Sequence, residues 1–264
     1  MFKKTTAILL ATILTLIVAT SSANATSLSW VKLVDGIEFA AYSFNDDTNV
    51  VRQEIYLLKI NPKKITTDIA IASDIGLPYR TDIKSMAKHT KASVAINASF
   101  FDTEGKPLGL LIQNGKQLNK LHAGGRTLSG IFYIKNDSPG ISFRETPLPA
   151  DVSLAVQSGP RLIVDGEKSK LAPSNRSTRR SGIAITYDKQ IIVYATLLRF
   201  PGATLEQVQN MLMLKDLRIK DALNLDGGSS SQLYINENIA AGGGEVLMTG
   251  GDMVPVGLVF KTRK

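Results

Sequence analysis

The chain contains no cysteine, and its 264 residues include only two histidines and one tryptophan. The absence of cysteine excludes a disulfide framework and a lipid-modified N-terminal cysteine. Together with the lack of paired histidines, it also argues against a zinc site. A chain of this length buries enough apolar surface to fold without covalent cross-links, so these absences are compatible with an exported protein.

Long apolar runs are equally scarce, and the main one lies at the N-terminus. Residues 7–19 are almost wholly apolar, two lysines precede them, and the small residues Ala23 and Ala25 follow. This order is typical of a secretory signal peptide over residues 1–25, and we expect cleavage after Ala25. A membrane anchor is the alternative, but the run is short and no segment of residues 26–264 could span a bilayer. We therefore expect an exported protein, in the periplasm or secreted.

Acidic residues are fewer than basic ones. The chain has 31 lysines and arginines against 23 aspartates and glutamates, a net charge of +8, and removal of the two leader lysines leaves 29 against 23, or +6. This balance favours anionic partners such as phosphorylated glycans, wall polymers or lipid headgroups, although lysines that serve only solubility explain it equally well. No nucleic acid partner is expected, because the basic residues are scattered and no recognised binding motif is present.

Alternation of apolar and polar residues predicts mostly β-strands. The predicted strands cover residues 51–60, 65–71, 93–97, 108–113, 131–134, 154–157, 182–187, 190–196, 222–226, 233–235 and 256–260. Residues 81–90 and 204–215 have helical periodicity, and the second segment opens with a capping box of Thr204 and Gln207. The pattern predicts a single α+β (mixed α/β) domain, in which a large mixed or antiparallel sheet is partly covered by a few helices.

The most informative segment is Asn224-Leu225-Asp226-Gly227-Gly228-Ser229-Ser230-Ser231-Gln232, which lies between two apolar strands. A structural hairpin needs one or two turn-forming residues, whereas this one has a carboxylate, two glycines and three hydroxyls. Glycines let main-chain N–H groups approach an anion closely, and Asp226 at a strand end is held by a rigid scaffold. The segment predicts a phosphate or sugar site, with a solvated Asp-Gly turn as the alternative.

Four further segments place polar residues between apolar strands or at their ends. They are Asn97-Ala98-Ser99-Phe100-Phe101-Asp102, Leu121-His122-Ala123-Gly124-Gly125-Arg126, Gln157-Ser158-Gly159-Pro160-Arg161 and residues 175–181. Each alone is an ordinary loop. In this order, and together with Pro107-Leu108-Gly109-Leu110, Asn114-Gly115, Arg180-Ser181-Gly182-Ile183 and residues 222–230, the chain resembles the phosphodiester glycosidase family over nearly all of the mature part. Bacterial relatives often carry Gly-Asn-Phe where this chain has Gly130-Ile131-Phe132, which predicts a different specificity if that asparagine contacts substrate.

The resemblance implies an exported hydrolase that cleaves the bond between the anomeric carbon of a sugar and a phosphodiester, with a phosphorylated carbohydrate as substrate. Such a reaction needs stabilisation of an oxocarbenium-like centre and of the departing phosphate. We expect Asp226 to act as base or nucleophile, and Asp102 to be the second carboxylate unless it only forms its own turn. Arg179 or Arg180 is expected to grip the phosphate oxygens, unless these side chains pair with surface carboxylates.

The same segments supply candidate substrate-binding residues. Asn97 is expected to bind a sugar hydroxyl or to orient a carboxylate, and His122 to act as an acid or a phosphate ligand. The other candidates are Gln157, Ser158, Gly159, Gly227, Gly228, Ser229 and Ser230.

Several alternatives stay open at this stage. No cofactor is expected, but calcium or another oxygen-bound cation at Asp226 or Asp102 is an alternative. A phosphodiesterase that cuts at phosphorus and a non-catalytic glycan-binding protein are the rival functions. The sequence predicts neither the sugar nor the oligomeric state.

Overall fold

The computed structural model describes residues 28–46, 49–125, 127–174, 176–196, 202–240 and 244–263. The expected signal peptide, residues 1–25, lies outside these residues, as do Arg126 and Asn175 of the candidate loops. Within the described ranges, no helix has the length and apolar character needed to cross a membrane.

The described chain consists mainly of β-strands. In chain order they are β1 Val31–Val34, β2 Ile37–Asp46, β3 Asn49–Ile60, β4 Ile65–Ile71, β5 Val94–Asn97, β6 Leu111–Gln113, β7 Lys116–Asn119, β8 Gly130–Lys135, β9 Ser138–Phe143, β10 Leu154–Ser158, β11 Arg161–Val164, β12 Glu167–Lys168, β13 Ser181–Thr186, β14 Ile191–Thr196, β15 Ile219–Asn224, β16 Leu233–Ile235, β17 Val246–Met248 and β18 Val256–Thr262. The helices are α1 Ile83–Thr90 and α2 Leu205–Leu212.

The largest sheet has eight antiparallel strands in the order β1-β2-β3-β14-β13-β15-β11-β12. At its centre, Ile183 of β13 lies opposite Val193 of β14 on one side and Leu223 of β15 on the other. All residues of β13 and β14 are buried, because apolar side chains cover both faces of the sheet. This burial explains why these strands are near-continuous apolar runs in the sequence.

Two five-stranded antiparallel sheets, β7-β6-β10-β8-β9 and β17-β16-β5-β18-β4, share one apolar core with the largest sheet. Leu58, Val193, Ile96, Leu258 and Phe132 are among the fully buried side chains of this core. Each such side chain contributes about 1.5–3 kcal/mol relative to an exposed one. The shared core fixes the three sheets against one another, and the loops at their strand ends are positioned with them.

The two helices cover outer faces of two different sheets. Helix α1 buries Ile83 and Met86 against the sheet that contains β5, and the Asp82 side chain caps it by accepting from the Ser85 N–H at 2.8 Å. Helix α2 buries Met211 and its neighbours against the eight-stranded sheet. The structure confirms the predicted capping box of α2, in which the Thr204 and Gln207 side chains and main-chain N–H groups bond reciprocally.

The predicted fold class is correct only in part. Both predicted helices are present, with α1 beginning at residue 83 instead of 81 and α2 ending at residue 212 instead of 215. The described chain is nevertheless more sheet-dominated than an α+β class suggests, because it has eighteen strands and two helices, and three antiparallel sheets replace a single large one.

Strands β1, β2, β7, β9, β11, β12 and β17 were not predicted. Strand β9 shows the reason, since it contains Pro139 and Gly140, which are poor strand formers. It pairs with β8 along its whole length because the Tyr133 ring fills the space above Gly140. The contact comes from the neighbouring strand, so the sequence of β9 alone does not predict it.

Candidate active site

Asp226 lies two residues beyond the end of β15, where the eight-stranded sheet meets the sheet of β5. Its N–H donates to the Ala98 carbonyl oxygen at 3.1 Å. Its carbonyl oxygen accepts from the Asn97 side-chain amide at 2.7 Å and from the Ser181 hydroxyl at 2.6 Å. Asn97 and Ser181 are fully buried, so these bonds are shielded from water. Two strands of different sheets thereby hold the main chain of Asp226, so its position does not depend on its carboxyl group alone.

The Asn97 side chain therefore orients Asp226, the catalytic candidate, by binding the main chain of Asp226. Its amide oxygen also accepts from the Gln232 N–H at 3.0 Å, so both ends of the side chain are occupied. One of the two roles expected for Asn97, to orient a carboxylate, is consistent with this geometry. The other, direct contact with a sugar hydroxyl, stays a prediction, and the complete burial of Asn97 does not favour it.

The turn after Asp226 is a short 3-10 segment at Gly228–Ser230. Gly228 has φ of 63°, and its N–H donates to the Arg179 carbonyl oxygen at 2.8 Å. A Cβ on Gly227 would lie 3.1 Å from the same oxygen. The two glycines thus permit close approach of the Arg179 main chain, whereas the sequence argument assigned their N–H groups to an anion.

Burial raises the pKa of the Asp226 carboxyl group from 3.8 to about 6. Hydrogen bonds from the Ser230 hydroxyl and the Gly227 N–H act in the opposite direction, and the negative charge of Asp252 raises the pKa further. A carboxyl group with this pKa changes its protonation state near neutral pH, which is the property required of an acid–base catalyst.

Asp252 is the acidic neighbour of Asp226, and sequence reasoning missed it. The Ser229 hydroxyl donates to its carboxylate, and the Ser229 carbonyl oxygen accepts from the N–H groups of Gly251 at 2.8 Å and of Asp252 at 3.0 Å. The Gln232 side-chain amide donates to the Asp252 carbonyl oxygen at 2.9 Å. The available signal was the Gly250-Gly251-Asp252 sequence, in which two glycines precede a carboxylate as they do in no ordinary strand.

The two candidate arginines differ in what their guanidinium groups contact. Arg180 donates to the carbonyl oxygens of Ala203 at 3.0 Å and of Arg176 at 2.8 Å, and burial lowers its pKa. Arg179 donates to the Thr249 carbonyl oxygen at 2.9 Å, and its other terminal nitrogen lies 3.6 Å from where a Cβ on Gly251 would be. Neither forms an ion pair with a carboxylate in the described part of the chain. Arg179 therefore faces the Asp252 loop, while Arg180 is used to hold loops together.

Asp102 occupies its own turn and is not brought to Asp226 by any contact of the described structure. Its carboxylate accepts from the N–H groups of Glu104 at 2.9 Å and of Lys106 at 2.8 Å. This is the turn-forming role that the sequence left as the alternative to a second catalytic carboxylate. Asp252, not Asp102, is the carboxylate whose charge acts on Asp226.

The Gln157 side chain holds two loops together, one of which contains His122. The Gln157 oxygen accepts from the N–H groups of Leu110 and His122, and its nitrogen donates to the carbonyl oxygens of His122 and Leu128, at 2.8–2.9 Å. All hydrogen-bonding capacity of this fully buried amide is used by main chain, which leaves none for substrate. These bonds involve only the main chain of His122, whose side chain is exposed.

Ser158 and Gly159 pack beside the strand that carries Asp226. The Asn224 side-chain amide donates to the Gly159 carbonyl oxygen at 3.1 Å, and a Cβ on Gly159 would collide with the Thr127 carbonyl oxygen. The hydroxyls of Ser99, Ser158 and Ser231, and the Asn224 side-chain oxygen, are buried without a hydrogen-bond partner within the described residues. Such groups are uncommon in native proteins. Three of these groups lie near Asp226. Asn224 precedes it by two residues, and Ser99 and Ser231 directly follow Ala98 and Ser230, which both form hydrogen bonds with Asp226.

The described residues contain no group of three or more acidic or histidine side chains that could hold a metal. Asp226 and Asp102, the two positions considered for an oxygen-bound cation, also share no contact there. The site is thus built from one carboxyl group of raised pKa, a neighbouring carboxylate, buried hydroxyls and one arginine.

Comparison with known proteins identifies the family. A family model described as phosphodiester glycosidase matches residues 90–260, which is well over half of the chain. The chain belongs to the phosphodiester glycosidase family, as its sequence motifs predicted. The matched part includes Asn97, Asp226 and Asp252.

Solved structures share the fold of this chain at low sequence identity, and a curated relative matches part of its sequence. The catalytic domain of zebrafish N-acetylglucosamine-1-phosphodiester alpha-N-acetylglucosaminidase aligns with a TM-score of 0.65 and 18% identity, covering 90% of this chain and 88% of that one. A hypothetical protein from Synechocystis aligns with a TM-score of 0.61 and 19% identity, covering 91% and 65%. The Escherichia coli protein YigE is 29% identical over 157 residues, 55% of this chain and 56% of YigE. The chain thus spans just over half the length of the curated relative that it matches.

Proposed function

We propose that this protein hydrolyses the bond between the anomeric carbon of a sugar and the oxygen of a phosphodiester. Membership of the phosphodiester glycosidase family and the activity named for the zebrafish relative support the reaction class. The observation that carries the proposal is Asp226, a half-buried carboxyl group of pKa about 6 whose main chain is fixed by two sheets.

In the proposed mechanism, Asp226 is the general base. A carboxylate of pKa about 6 is a stronger base than an ordinary aspartate and is still largely ionised at neutral pH. It takes a proton from water as the water oxygen bonds to the anomeric carbon. The bond from that carbon to the phosphate oxygen breaks, and its electron pair leaves with the phosphate. The products are a reducing sugar and a phosphomonoester, and the proton passes from Asp226 to solvent.

Asp252 and Arg179 stabilise opposite charges in this scheme. Positive charge develops at the anomeric carbon, and the Asp252 carboxylate lies on the loop bonded to Ser229, beside Asp226. Negative charge develops on the phosphate, and a guanidinium can grip two phosphate oxygens at once. Arg179 keeps N–H groups for this purpose, since it donates one bond to Thr249 and forms no ion pair within the described residues. A phosphate is a good leaving group, so a general acid contributes less here than in ordinary glycosides.

The test is to incubate the mature protein with a panel of sugar-1-phosphodiesters and to measure free reducing sugar and the position of the phosphate. Release of reducing sugar with the phosphate left on the aglycone supports the proposal. If the phosphate stays on the sugar, the protein is instead a phosphodiesterase that cuts at phosphorus. If neither wild type nor Asp226→Asn turns the substrate over and both bind it equally, the protein is instead a glycan-binding protein.

Export is a part of the same proposal and is supported by the leader pattern of residues 1–25. The substrate would then lie in the cell envelope or outside it. N-terminal sequencing of the protein recovered from the periplasm and medium should give a chain that begins at Thr26. A protein recovered only with Met1 in place, inside the cell, would contradict export.

A further inference from the structure

A second ligand-like arrangement lies outside the Asp226 site, at Tyr79, Arg80 and Phe101. The Arg80 guanidinium carbon lies 5.1 Å from the centre of the Tyr79 ring and 5.8 Å from that of Phe101. One of its terminal nitrogens donates to the Tyr79 hydroxyl at 3.1 Å. Tyr79 is 57% exposed and Arg80 is half-buried, so part of the Tyr79 ring faces solvent beside a partly accessible cation. We call these three residues the aromatic–arginine platform.

No nearby carboxylate neutralises the platform. Arg80 takes part in none of the ion pairs of the described chain. The Asp82 carboxylate accepts from Ser85 at the start of α1, and Glu104 pairs with Lys106 at 2.7 Å. Because these acidic groups have other partners, the guanidinium keeps both its charge and free N–H donors for a ligand.

The platform is held rigidly by the turn that contains Asp102. Its carboxylate fixes the turn through Glu104 and Lys106, and Gly105 at the tip has φ of 81°. A Cβ on Gly105 would lie 2.7 Å from the Tyr79 ring and 2.9 Å from the Arg80 Cδ, so both side chains pack on this glycine. A rotamer-rich arginine ordered in this way loses less entropy when it binds an anion.

The chain connects the platform to the Asp226 site by two short routes. The Ala98 carbonyl oxygen accepts from the Asp226 N–H, and Phe101 is three residues beyond Ala98. The Cα atoms of Ala98 and Phe101 are therefore at most about 11 Å apart. On the other side, Thr81 pairs with Val254 through hydrogen bonds of 3.0 and 2.9 Å, and Val254 is two residues beyond Asp252. Tyr79 and Arg80 precede the part of the chain that the family model matches, which begins at residue 90.

We propose that the aromatic–arginine platform binds a second sugar-phosphate unit of an extended substrate. The flat Tyr79 face takes the sugar ring, and the Arg80 guanidinium pairs with the phosphate of that unit. This inference rests on the proposed function and adds to it a substrate class: a polymer or oligomer of phosphodiester-linked sugars in place of a small monomeric diester. The positive net charge of the chain suits such a polyanion.

The experiment compares two probes on purified full-length mature protein: the methyl diester of N-acetylglucosamine 1-phosphate and a short oligomer of the same phosphodiester-linked unit. For Arg80→Gln, we expect the ratio of kcat/KM for the oligomer to that for the methyl diester to fall about tenfold, the effect of one lost charged hydrogen bond. For Tyr79→Ala, we expect a similar fall, because the ring that would contact the sugar is lost. The matched control is Arg218→Gln, an exposed arginine at the opposite end of β15 from Asp226. It should leave the ratio unchanged.

Each outcome separates this inference from the proposed reaction. An unchanged ratio in Arg80→Gln, or an equal fall in Arg218→Gln, overturns the subsite. If the wild type hydrolyses neither probe, the proposed reaction fails with this sugar, and binding of the oligomer to wild type, Arg80→Gln and Arg218→Gln is measured directly. Weaker binding only in Arg80→Gln then supports the subsite without catalysis, and equal binding in all three proteins overturns it.

Discussion

Asp226 and Asp102 both follow the end of a buried strand, and both lie in turns that contain glycine. The Asp102 carboxylate accepts two N–H groups of its own turn, from Glu104 and Lys106. The Asp226 turn is held differently, because Asn97, Ser181 and Ala98 bind the main chain of Asp226 from other strands. Both carboxyl groups accept hydrogen bonds within their own turns, since that of Asp226 is bonded to the Gly227 N–H and the Ser230 hydroxyl. Only Asp226 is also held through its main chain by distant segments, and burial raises the pKa of its carboxyl group, so it is the better candidate for catalysis.

The same contrast separates Arg180 from Arg179. Arg180 donates to two carbonyl oxygens and is half-buried, so it orders the loops at Arg176 and Ala203. Arg179 donates to one carbonyl oxygen beside the Asp252 loop. In both pairs, the candidate for catalysis is the residue that keeps part of its side-chain binding capacity near the Asp252 loop, and contacts from distant segments supply the rigidity that function requires.

The largest expected effect is on activity at the two aspartates. Asp226→Asn removes the base and should lower kcat by about 10³-fold, within the range typical of general acid–base groups. Asp102→Asn keeps an oxygen that accepts the same two N–H groups, so kcat should stay within about threefold of wild type. The measurement is release of reducing sugar from the best substrate of the panel. Equal losses in the two variants would remove the distinction between the turns.

The next effect concerns stability as a function of pH. The folded pKa of Asp226, about 6, is above its unfolded value of 3.8, so the stabilisation by its protonated form is complete below about pH 4 and is lost as pH rises through 6. Ionisation at higher pH therefore costs up to about 3 kcal/mol of unfolding free energy. Asp226→Asn has no such cost.

Denaturant titrations at about pH 4 and about pH 8 check this sign. Asp226→Asn should be more stable than wild type at the higher pH, and the difference should shrink or reverse at the lower pH. A difference of constant size at both pH values would mean that burial does not raise the pKa of this carboxyl group in the folded state.

The arginine pair gives the third effect. Arg179→Met should lower kcat/KM by about 10²-fold, the loss typical for one donor to a developing anion, with little change in unfolding free energy. Arg180→Met removes two charged hydrogen bonds, to the carbonyl oxygens of Ala203 and Arg176, and should lower the unfolding free energy by about 1–3 kcal/mol. Kinetics and denaturant titration of both variants separate these roles. A kinetic defect confined to Arg180→Met would assign the phosphate to that residue.

Local pattern was sufficient for the parts of the molecule that local forces form. The helices, the capping box of Thr204 and Gln207, most central strands and the turn after Asp226 were predicted, because periodicity and turn residues are visible within a few positions. The family was also recognised from ordered motifs, and the match over residues 90–260 confirms it.

Contacts between distant segments could not be predicted in this way. Asn97 and Ser181 reach Asp226 across 129 and 45 residues, and the order of the strands in three sheets determines both contacts. For the same reason, sequence reasoning named Asp102 as the second carboxylate and missed Asp252, since only the fold shows which carboxylate lies beside Asp226. Gln157 was predicted to bind substrate because sequence does not show that its four hydrogen bonds go to the main chain of two distant loops.

Ser181 offers the finest test of whether external contacts rather than the turn itself position Asp226. Ser181→Ala removes the donor at 2.6 Å from the Asp226 carbonyl oxygen but leaves the Asn97 amide in place. We expect kcat to fall about tenfold, or about 1.4 kcal/mol in the barrier, with KM nearly unchanged, because the hydroxyl lies behind the main chain and away from substrate. Ser181→Cys, which keeps a weaker donor of similar size, should recover part of the rate.

The matched control is Ser169→Ala, which removes a buried hydroxyl that has no partner within the described residues and lies after β12. A similar rate loss in the control, or a change in KM alone for Ser181→Ala, would show that the strand contacts do not set the position of the carboxyl group.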